Sequence, residues 1–453
     1  MVDAADPRRG LRADPSDEVS PEPRRGFYAE ARRRPPEEIV EVLVDHVGRE
    51  GALVVAVWLV DMQQDSLLPF HTSQPDKDRR PLSIDGTLAG RCYQDGTIVV
   101  SGAEDPAELD EAGLDAGLDA GTTESWFPLR RGAERLGVAR VRSREPLHAE
   151  TLDDLSDLFD AFVHVLSATS VVSDDLVLAR RTESMDLAAE IQWSMLPPLS
   201  WADRRLTISA VLEPAYVVAG DSVDYNVAGD RASLAVFDGM GHGLESARMS
   251  SLTMNAYRNR RRAGLRLPEL ATELETTLRA ALADREGFTT AVLAELDLRE
   301  GELRWVNAGH LDPLLFRDTR SAGPMVADER QHPLRMPEAA GAEARQMIVG
   351  AEILQPGDAV LLYTDGVTEA RDPDGEQYGV ERLCDRVSAH LSSGLAAQEI
   401  MRRISRSVLE HCGGRLDDDA TMLLVQWHGP DSGEAAVGEP VSPATSAGAC
   451  TTD

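Results

Sequence analysis

The sequence predicts an α+β protein of two folded units joined by a helical segment. Three observations lead there. At 453 residues the chain is longer than one ordinary core organises. Apolar residues make up 42% and charged residues 27%, the balance of a chain that buries cores. Strand-like apolar runs occur together with helical periodicity in two stretches, about 37–172 and about 201–428, and residues 173–200 between them read as a helical linker.

Charge narrows the partners. The net charge of −32 and pI near 4.7 repel phosphate backbones and anionic lipid, which argues against nucleic acid and membrane. Cys92, Cys384, Cys412 and Cys450 are scattered without a C-x-x-C pair, as suits a reducing compartment, and they offer no structural zinc site. Residues 1–36 are rich in Arg, Pro and acids and lack the apolar core of a signal peptide. The longest apolar run, Leu53 to Val60, is far short of the roughly 20 residues that span a bilayer. A cytoplasmic location is expected. Residues 1–36 and 429–453 lack apolar periodicity and are expected to be disordered.

The first unit begins with helical spacing over Glu38–Val47, where Ile39, Leu43 and Val47 share a face. Ala52 to Val60 reads as a buried strand, and Leu82 to Tyr93 as a turn leading into a short helix. Gly96–Val100, Ser125–Leu129 and Leu136–Val141 are short strands, and Leu152–Val165 is a closing amphipathic helix. Helix-bracketed mixed strands, with Val57-Trp58-Leu59, Pro81–Arg91 and Trp126-Phe-Pro-Leu129, resemble a GAF domain, a small sensory module that often binds small ligands. Nothing in the residues names such a ligand. Cys92 fits a small buried hydrophobe better than an attachment or redox point.

Ser173 to Leu196 reads as a second helical stretch, stopped by Pro197-Pro198. Leu187, Ile191 and Met195 recur every four residues as an apolar stripe. Such a stripe packs into a core, or switches between two packings, or joins two copies in a homodimer.

The second unit carries the chemistry. Asp221 follows Val217-Val-Ala-Gly220, Asp238 follows the strand Ser233-Leu-Ala-Val-Phe237, and Asp365 follows Ala359-Val-Leu-Leu-Tyr-Thr364. Asp418 and Asp419 lead into the strand Thr421–Gln426. Each Asp-Gly by itself reads as a hairpin turn. Together they place carboxylates at strand ends, where position is rigidly held. Converging carboxylates repel one another unless a cation sits among them, and hard oxygen donors suit magnesium or manganese. Two such ions lower the pKa of a water between them and clamp a phosphoryl group, a route to phosphoester hydrolysis.

The local wording is similar to the metal-dependent protein phosphatase (PPM) family, in the bacterial subgroup typified by stage II sporulation protein E. The likeness covers nearly all of 186–428: Ile191-Gln-Trp-Ser-Met-Leu-Pro197, Ala219-Gly-Asp-Ser-Val-Asp224, Asp238-Gly-Met-Gly-His-Gly243 and Phe288-Thr-Thr290. It continues through Trp305-Val-Asn-Ala-Gly-His310, Leu361–Ala370, Gly375–Gly379 and Asp418-Asp-Ala-Thr421. The resemblance implies a four-layer α-β-β-α sandwich of two antiparallel sheets with the metals at one end. It implies two Mn2+ or Mg2+ ions, with Asp238 bridging them and the Gly239 carbonyl on one. Asp365 and Asp418 would hold the other ion, and Asp221 a metal-bound water or the second ion. Asp418 is preferred to Asp419 because the family's aspartate precedes the Thr by three residues.

It also implies that the segment matching Ala188–Pro197 packs on the catalytic unit and sets whether the site is assembled. Ala219 stands where the subgroup has a second glycine. His242 lies too far from Asp238 in sequence to be assigned as a general acid, and Asn307 and His310 read as strand-to-turn residues.

The expected activity is that of a protein serine/threonine phosphatase regulated by the GAF-like unit. Its substrate would be a phosphorylated anti-sigma factor antagonist, placing the chain in sigma-factor and stress-response signalling. The alternative is a metal-poor pseudophosphatase that relays a signal by contact. A metal nuclease would need basic or aromatic tracts, and a nucleotide kinase a G-x-x-x-x-G-K-[ST] loop, and neither is present.

Overall fold

The computed structural model describes residues 22–50, 54–72, 80–101, 122–216, 220–241, 243–281, 287–329, 331–335 and 347–430. Six strands form the first unit's sheet: β1 (Val54–Val60), β2 (Ser66–Thr72), β3 (Leu82–Ser83), β4 (Val99–Val100), β5 (Thr123–Arg131) and β6 (Glu134–Ser143). They pair antiparallel in the order β3-β2-β1-β6-β5-β4. The alternation of β1 decides its surroundings. Val55, Val57 and Leu59 meet the helices Ile39–Arg49 and Ala149–Thr169 through Leu43, Val47, Leu158 and Phe162. Ala56, Trp58 and Val60 meet the helix Leu88–Asp95 through Ala89, Cys92 and Tyr93. A strand buried on both sides reads as a continuous apolar run, which is how Leu53–Val60 reads.

One boundary is corrected. Residues 22–31, expected to be disordered, form a helix whose Phe27 and Ala31 lie in the first core. Pro and Arg around them mask a short amphipathic turn set, so composition alone misses it. Residues 1–21 and 431–453 lie outside the described residues.

The linker is also corrected. It is two short helices, Asp175–Ala179 and Leu187–Trp193, rather than one. The second starts where the Asp186 carboxylate accepts Ala189 N–H at 2.7 Å. Its buried face is Ala188, Ala189 and Gln192, whereas Leu187 of the expected stripe is 64% exposed. Small residues win that face because the helix lies close on the Leu244–Arg262 helix and the strand-end backbone beside it. Val171, Val172 and Leu178 of the linker are exposed too.

Among the described residues the second unit has eleven strands. They are β7 (Ser200–Ala202), β8 (Leu206–Glu213), β9 (Asp221–Ala228), β10 (Arg231–Gly239), β11 (Thr289–Asp297), β12 (Glu302–Ala308), β13 (Leu314–Arg317), β14 (Arg320–Pro324), β15 (Gly350–Ile353), β16 (Ala359–Tyr363) and β17 (Ala420–Trp427). Two antiparallel sheets result, β15-β12-β11-β10-β9 and β14-β13-β16-β17-β8-β7. Their inner faces share one core, with Leu234, Val236 and Leu296 from the first sheet against Leu362, Leu423 and Val425 from the second. The helices Leu244–Arg262 and Leu267–Ala281 cover the outside of the first sheet. The helices Val380–Ser392 and Ala397–His411 cover the outside of the second. Helix, sheet, sheet, helix is the layering the sequence resemblance implies.

The units meet at two places. Met62 of the first unit joins Ala215 and Tyr216 of the second, with Met185 and Trp193 from the linker packed on them. On the Ala397–His411 helix, Gln398 reaches Gln64 and Tyr93, and Arg402 donates to Asp85 at 2.9 Å. Arg406 pairs with Asp85 as well. Burial pushes the Glu399 carboxyl up, but Arg402 and Arg403 more than offset it and hold it below its usual range. Arg402→Met leaves Glu399 buried with one partner fewer, so the second unit should lose about 3 kcal/mol. A calorimetric transition unchanged from the parent's would show that this pair is energetically neutral.

Candidate metal centre

Strand pairing builds half of the site. In the register of β9 and β10, Asp221 lies directly opposite Asp238, and across β10 and β11 Asp238 lies opposite Thr290. Cross-strand neighbours project to the same face, so two carboxylates and a hydroxyl line up at one end of the first sheet. Like charges directly opposite destabilise a sheet. Thr290 Oγ1 lies 3.3 Å from Asp238 Oδ2, and Thr364 Oγ1 donates to Asp221 Oδ2 at 2.6 Å.

The second sheet supplies the rest. Asp365 follows β16 and opens a short helix, Asp365–Thr368, so its Asp-Gly is a helix start and not a hairpin. Asp238-Gly239 likewise closes β10. Asp418 and Asp419 precede β17, the neighbour of β16, and the two segments are pinned by Thr364 N–H to the Thr421 carbonyl at 3.0 Å. The two aspartates differ. Asp419 is buried, and its Oδ2 accepts the Gly220 and Asp221 N–H groups at 2.9 and 3.2 Å. Asp418 is exposed, and its Oδ1 takes only the Asp419 N–H. Asp419 therefore ties the two sheets together, while Asp418 keeps oxygens facing outward.

Residues the sequence left without a task shape this cluster. His310 is buried, which lowers its pKa to about 4, so the ring is neutral near pH 7. Nε2 donates to the Tyr363 carbonyl at 3.0 Å, leaving Nδ1 to accept the Thr290 hydroxyl at 2.6 Å. Thr290 is thereby held between His310 and Asp238. Asn307 has the expected turn role, accepting His310 N–H at 2.8 Å and donating to Asp312 at 2.9 Å. Gln192 Nε2 donates to the Asp221 carbonyl, and Ser250 donates to the Gly220 carbonyl. A Cβ on Gly220 would strike the Gly239 carbonyl and the Ser246 hydroxyl, and one on Gly366 would strike the Asp419 carbonyl. Those glycines are set by close approach of neighbouring strand ends within each sheet. The Gly239 carbonyl accepts Ser246 Oγ at 3.0 Å. Val217, Val218, Ala219 and His242 lie outside the described residues.

The electrostatics test whether divalent cations suit these residues. Asp238 is pushed up from 3.8 to about 6, first by burial and then by the charges of Asp365 and Asp418. Asp221 is raised well above its usual range by burial, Asp419 and Asp238. Asp365 is raised by burial, Asp418 and Glu369. Every donor is a hard oxygen, and the carboxylates raise one another's pKa. That suits Mg2+ or Mn2+. Among the described residues no three acidic, His or Cys side chains stand as a ready-made cage. The carboxylates are in Coulombic reach of one another rather than in ligand contact, as like charges on strand ends would be.

A carboxyl held above its unfolded value costs the fold nothing below about pH 4 and the full amount above about pH 6. Asp238→Asn should therefore raise the melting temperature of the metal-free protein at pH 7.5, by an amount equivalent to about 2 kcal/mol. The advantage should vanish towards pH 4. A difference that stays constant across that range would rule out the charge account.

Comparison with known proteins finds similar sequences. Residues 228–428 match the family model described as "Stage II sporulation protein E (SpoIIE)". Protein IcfG of Synechocystis sp. (strain ATCC 27184 / PCC 6803 / Kazusa) is 24% identical over 314 residues, covering 60% of this chain and 46% of IcfG. Phosphoserine phosphatase RsbU of Bacillus subtilis (strain 168) is 23% identical over 254 residues, covering 53% of this chain and 69% of RsbU. The chain thus spans less than half the length of IcfG. Among solved structures, the RsbU and RsbW domains of Rv1364c from Mycobacterium tuberculosis align at 26% identity and a TM-score of 0.43, over 50% of this chain and 62% of that one. Over residues 228–428 the second unit is a phosphatase domain of the stage II sporulation protein E type.

Proposed function

We propose that the chain hydrolyses phosphoserine or phosphothreonine on a partner protein, using Mn2+ or Mg2+, under control of its first unit. The observation that carries this reading is the place of Asp238. It stands opposite Asp221 in the sheet register and feels the charges of Asp365 and Asp418 from the other sheet. Asp238 would bridge two ions, Asp365 and Asp418 would complete one site, and Asp221 the other. The Gly239 carbonyl, which takes Ser246 on one lone pair, would give its second. Bound there, the ions would supply Lewis acidity, acidifying water and offsetting phosphoryl charge. The protein's own part is positional. His310 fixes Thr290 beside Asp238, and Asp419 and Gln192 fix the Asp221 backbone from two sides. Asp418 is favoured over Asp419 because Asp419 is already engaged by backbone amides.

The partner would be an anti-sigma factor antagonist, as the sequence resemblance suggests, and the similarity to a phosphoserine phosphatase fits a phosphoserine substrate. A GAF-like role for the first unit is supported by its six-stranded antiparallel sheet covered by helices on both faces. Cys92 is buried and its thiol pushed up by that burial, which fits packing and not attachment or redox chemistry. No described helix is long and apolar enough to cross a membrane.

Control would run through neighbouring residues. Trp193 sits with Met62 of the first unit, and adjacent Gln192 holds the Asp221 carbonyl. A shift of the first unit would thereby reach Asp221 within one helix.

Asp238→Asn and Asp365→Asn should each lower kcat on an aryl phosphate at least about 100-fold at saturating Mn2+ while the protein stays folded. Activity within tenfold of the parent would remove the assignment, and an inert parent with every divalent metal would leave the contact-relay alternative. Gln192→Leu should weaken Mn2+ binding about tenfold, because the Asp221 carbonyl loses its donor. A changed melting temperature with unaltered metal affinity and turnover would reduce Gln192 to ordinary packing.

A further inference from the structure

Beside the carboxylate cluster lies an open groove of about 730 Å³. One wall is the β13–β14 hairpin, another is the first two turns of the Val380–Ser392 helix, and its inner end is formed by Tyr363, Thr368 and Glu369. That inner end brackets Asp365. Glu369 N–H donates to the Asp365 carbonyl at 2.7 Å, so groove and cluster are one helical turn apart.

The chemistry of the lining is one-sided. Asp312, Glu369, Glu381 and Asp385 contribute carboxylates, and the lining holds no Lys, Arg or His. Among the described residues, Glu369, Glu381 and Asp385 have no ion-pair partner, although this chain pairs acids with arginines in many other places. Glu381 and Asp385 are four residues apart, hence on one helix face, where like charges repel. Between the carboxylates the surface is apolar. Val380, at the mouth of the groove, is 42% exposed, and Leu311 and Pro324 lie across from it.

We infer that this groove receives a basic segment of the phosphorylated partner, with Lys or Arg near the phosphoserine and an apolar residue among them. This rests on the phosphatase reading and adds a substrate preference to it. A substrate phosphate in the cluster would place its flanking residues in the groove, where four carboxylates attract cations and open apolar surface accepts a side chain. The preference also opposes the general character of the molecule: at net charge −32 the chain repels acidic partners, and a basic segment is drawn in.

The test uses the full chain and the double variant Glu381→Arg/Asp385→Arg, both on the solvent side of one helix. Three substrates are compared with Mn2+: a phosphoserine peptide flanked by arginines, one flanked by glutamates, and para-nitrophenyl phosphate. Binding of the same peptides without hydrolysis is followed by fluorescence anisotropy at low and high salt. The parent should prefer the arginine peptide at least tenfold in kcat/KM. The variant should lose that preference through KM and bind the arginine peptide at least tenfold more weakly, with para-nitrophenyl phosphate turnover within twofold of the parent. High salt should shrink the parent's preference. Equal binding of both peptides by the parent, or a variant that leaves the arginine peptide's binding unchanged, overturns the proposal. A parent inert on all three substrates overturns the phosphatase reading instead, and the anisotropy arm still decides the groove.

Discussion

The second unit is organised around a repulsion. Asp221 and Asp238 face each other across two paired strands, and Asp365 and Asp418 bring further negative charge from the other sheet. Opposed carboxylates weaken a sheet, and partial burial pushes their protons on more firmly. The arrangement persists because everything behind it is strong. A shared apolar core joins the two sheets, and each outer face is sealed by a helix pair. The charge sits at the edge of that core, where cations from solvent can reach it.

Holding the two sheets in phase takes a second set of contacts. Asp419 receives two backbone N–H groups from Gly220 and Asp221, so one carboxylate is spent on structure so that its neighbours can be used otherwise. Thr364 bonds both the Asp221 carboxylate and the Thr421 backbone N–H. Gly220 and Gly366 let backbones approach to distances any side chain would prevent. Buried polar groups satisfied in this way fix position as well as energy.

The linker touches both units. Its second helix is too short to be stable alone and owes its place to the contacts on both sides. Trp193 packs on the cluster that holds the first unit's Met62, and Gln192 just before it donates to the Asp221 carbonyl. The Ala397–His411 helix touches both units as well, with Arg402 on Asp85 at one side and β8 and β17 at the other. β17 begins directly after Asp418 and Asp419.

Much of this was legible in the chain. Apolar runs located the buried strands, from Val54–Val60 to Ala420–Trp427, because a strand covered on both faces has no polar positions. The aspartates stood out because each ended such a run, and the ordered wording around them named the family. Local text misled where tertiary packing chose differently. The Glu22–Ala31 helix is held by Phe27 and Ala31 in a core that lies elsewhere in the sequence. In the Leu187-Ile191-Met195 stripe Leu187 is exposed and Ile191 and Met195 are only half-buried, because the helix turns Ala188, Ala189 and Gln192 inward. Between Asp418 and Asp419, adjacent and chemically alike, the sequence offered only the spacing of a family resemblance. Which one points outward depends on two amides about 200 residues away in sequence. His310 and Thr290 acquired their task the same way, through strand register. The sequence by itself determined which elements form and which residue types could carry the chemistry, because periodicity and composition act locally. Only the tertiary structure decided which side chains face one another and which are engaged by distant backbone groups, because that depends on neighbours far along the chain.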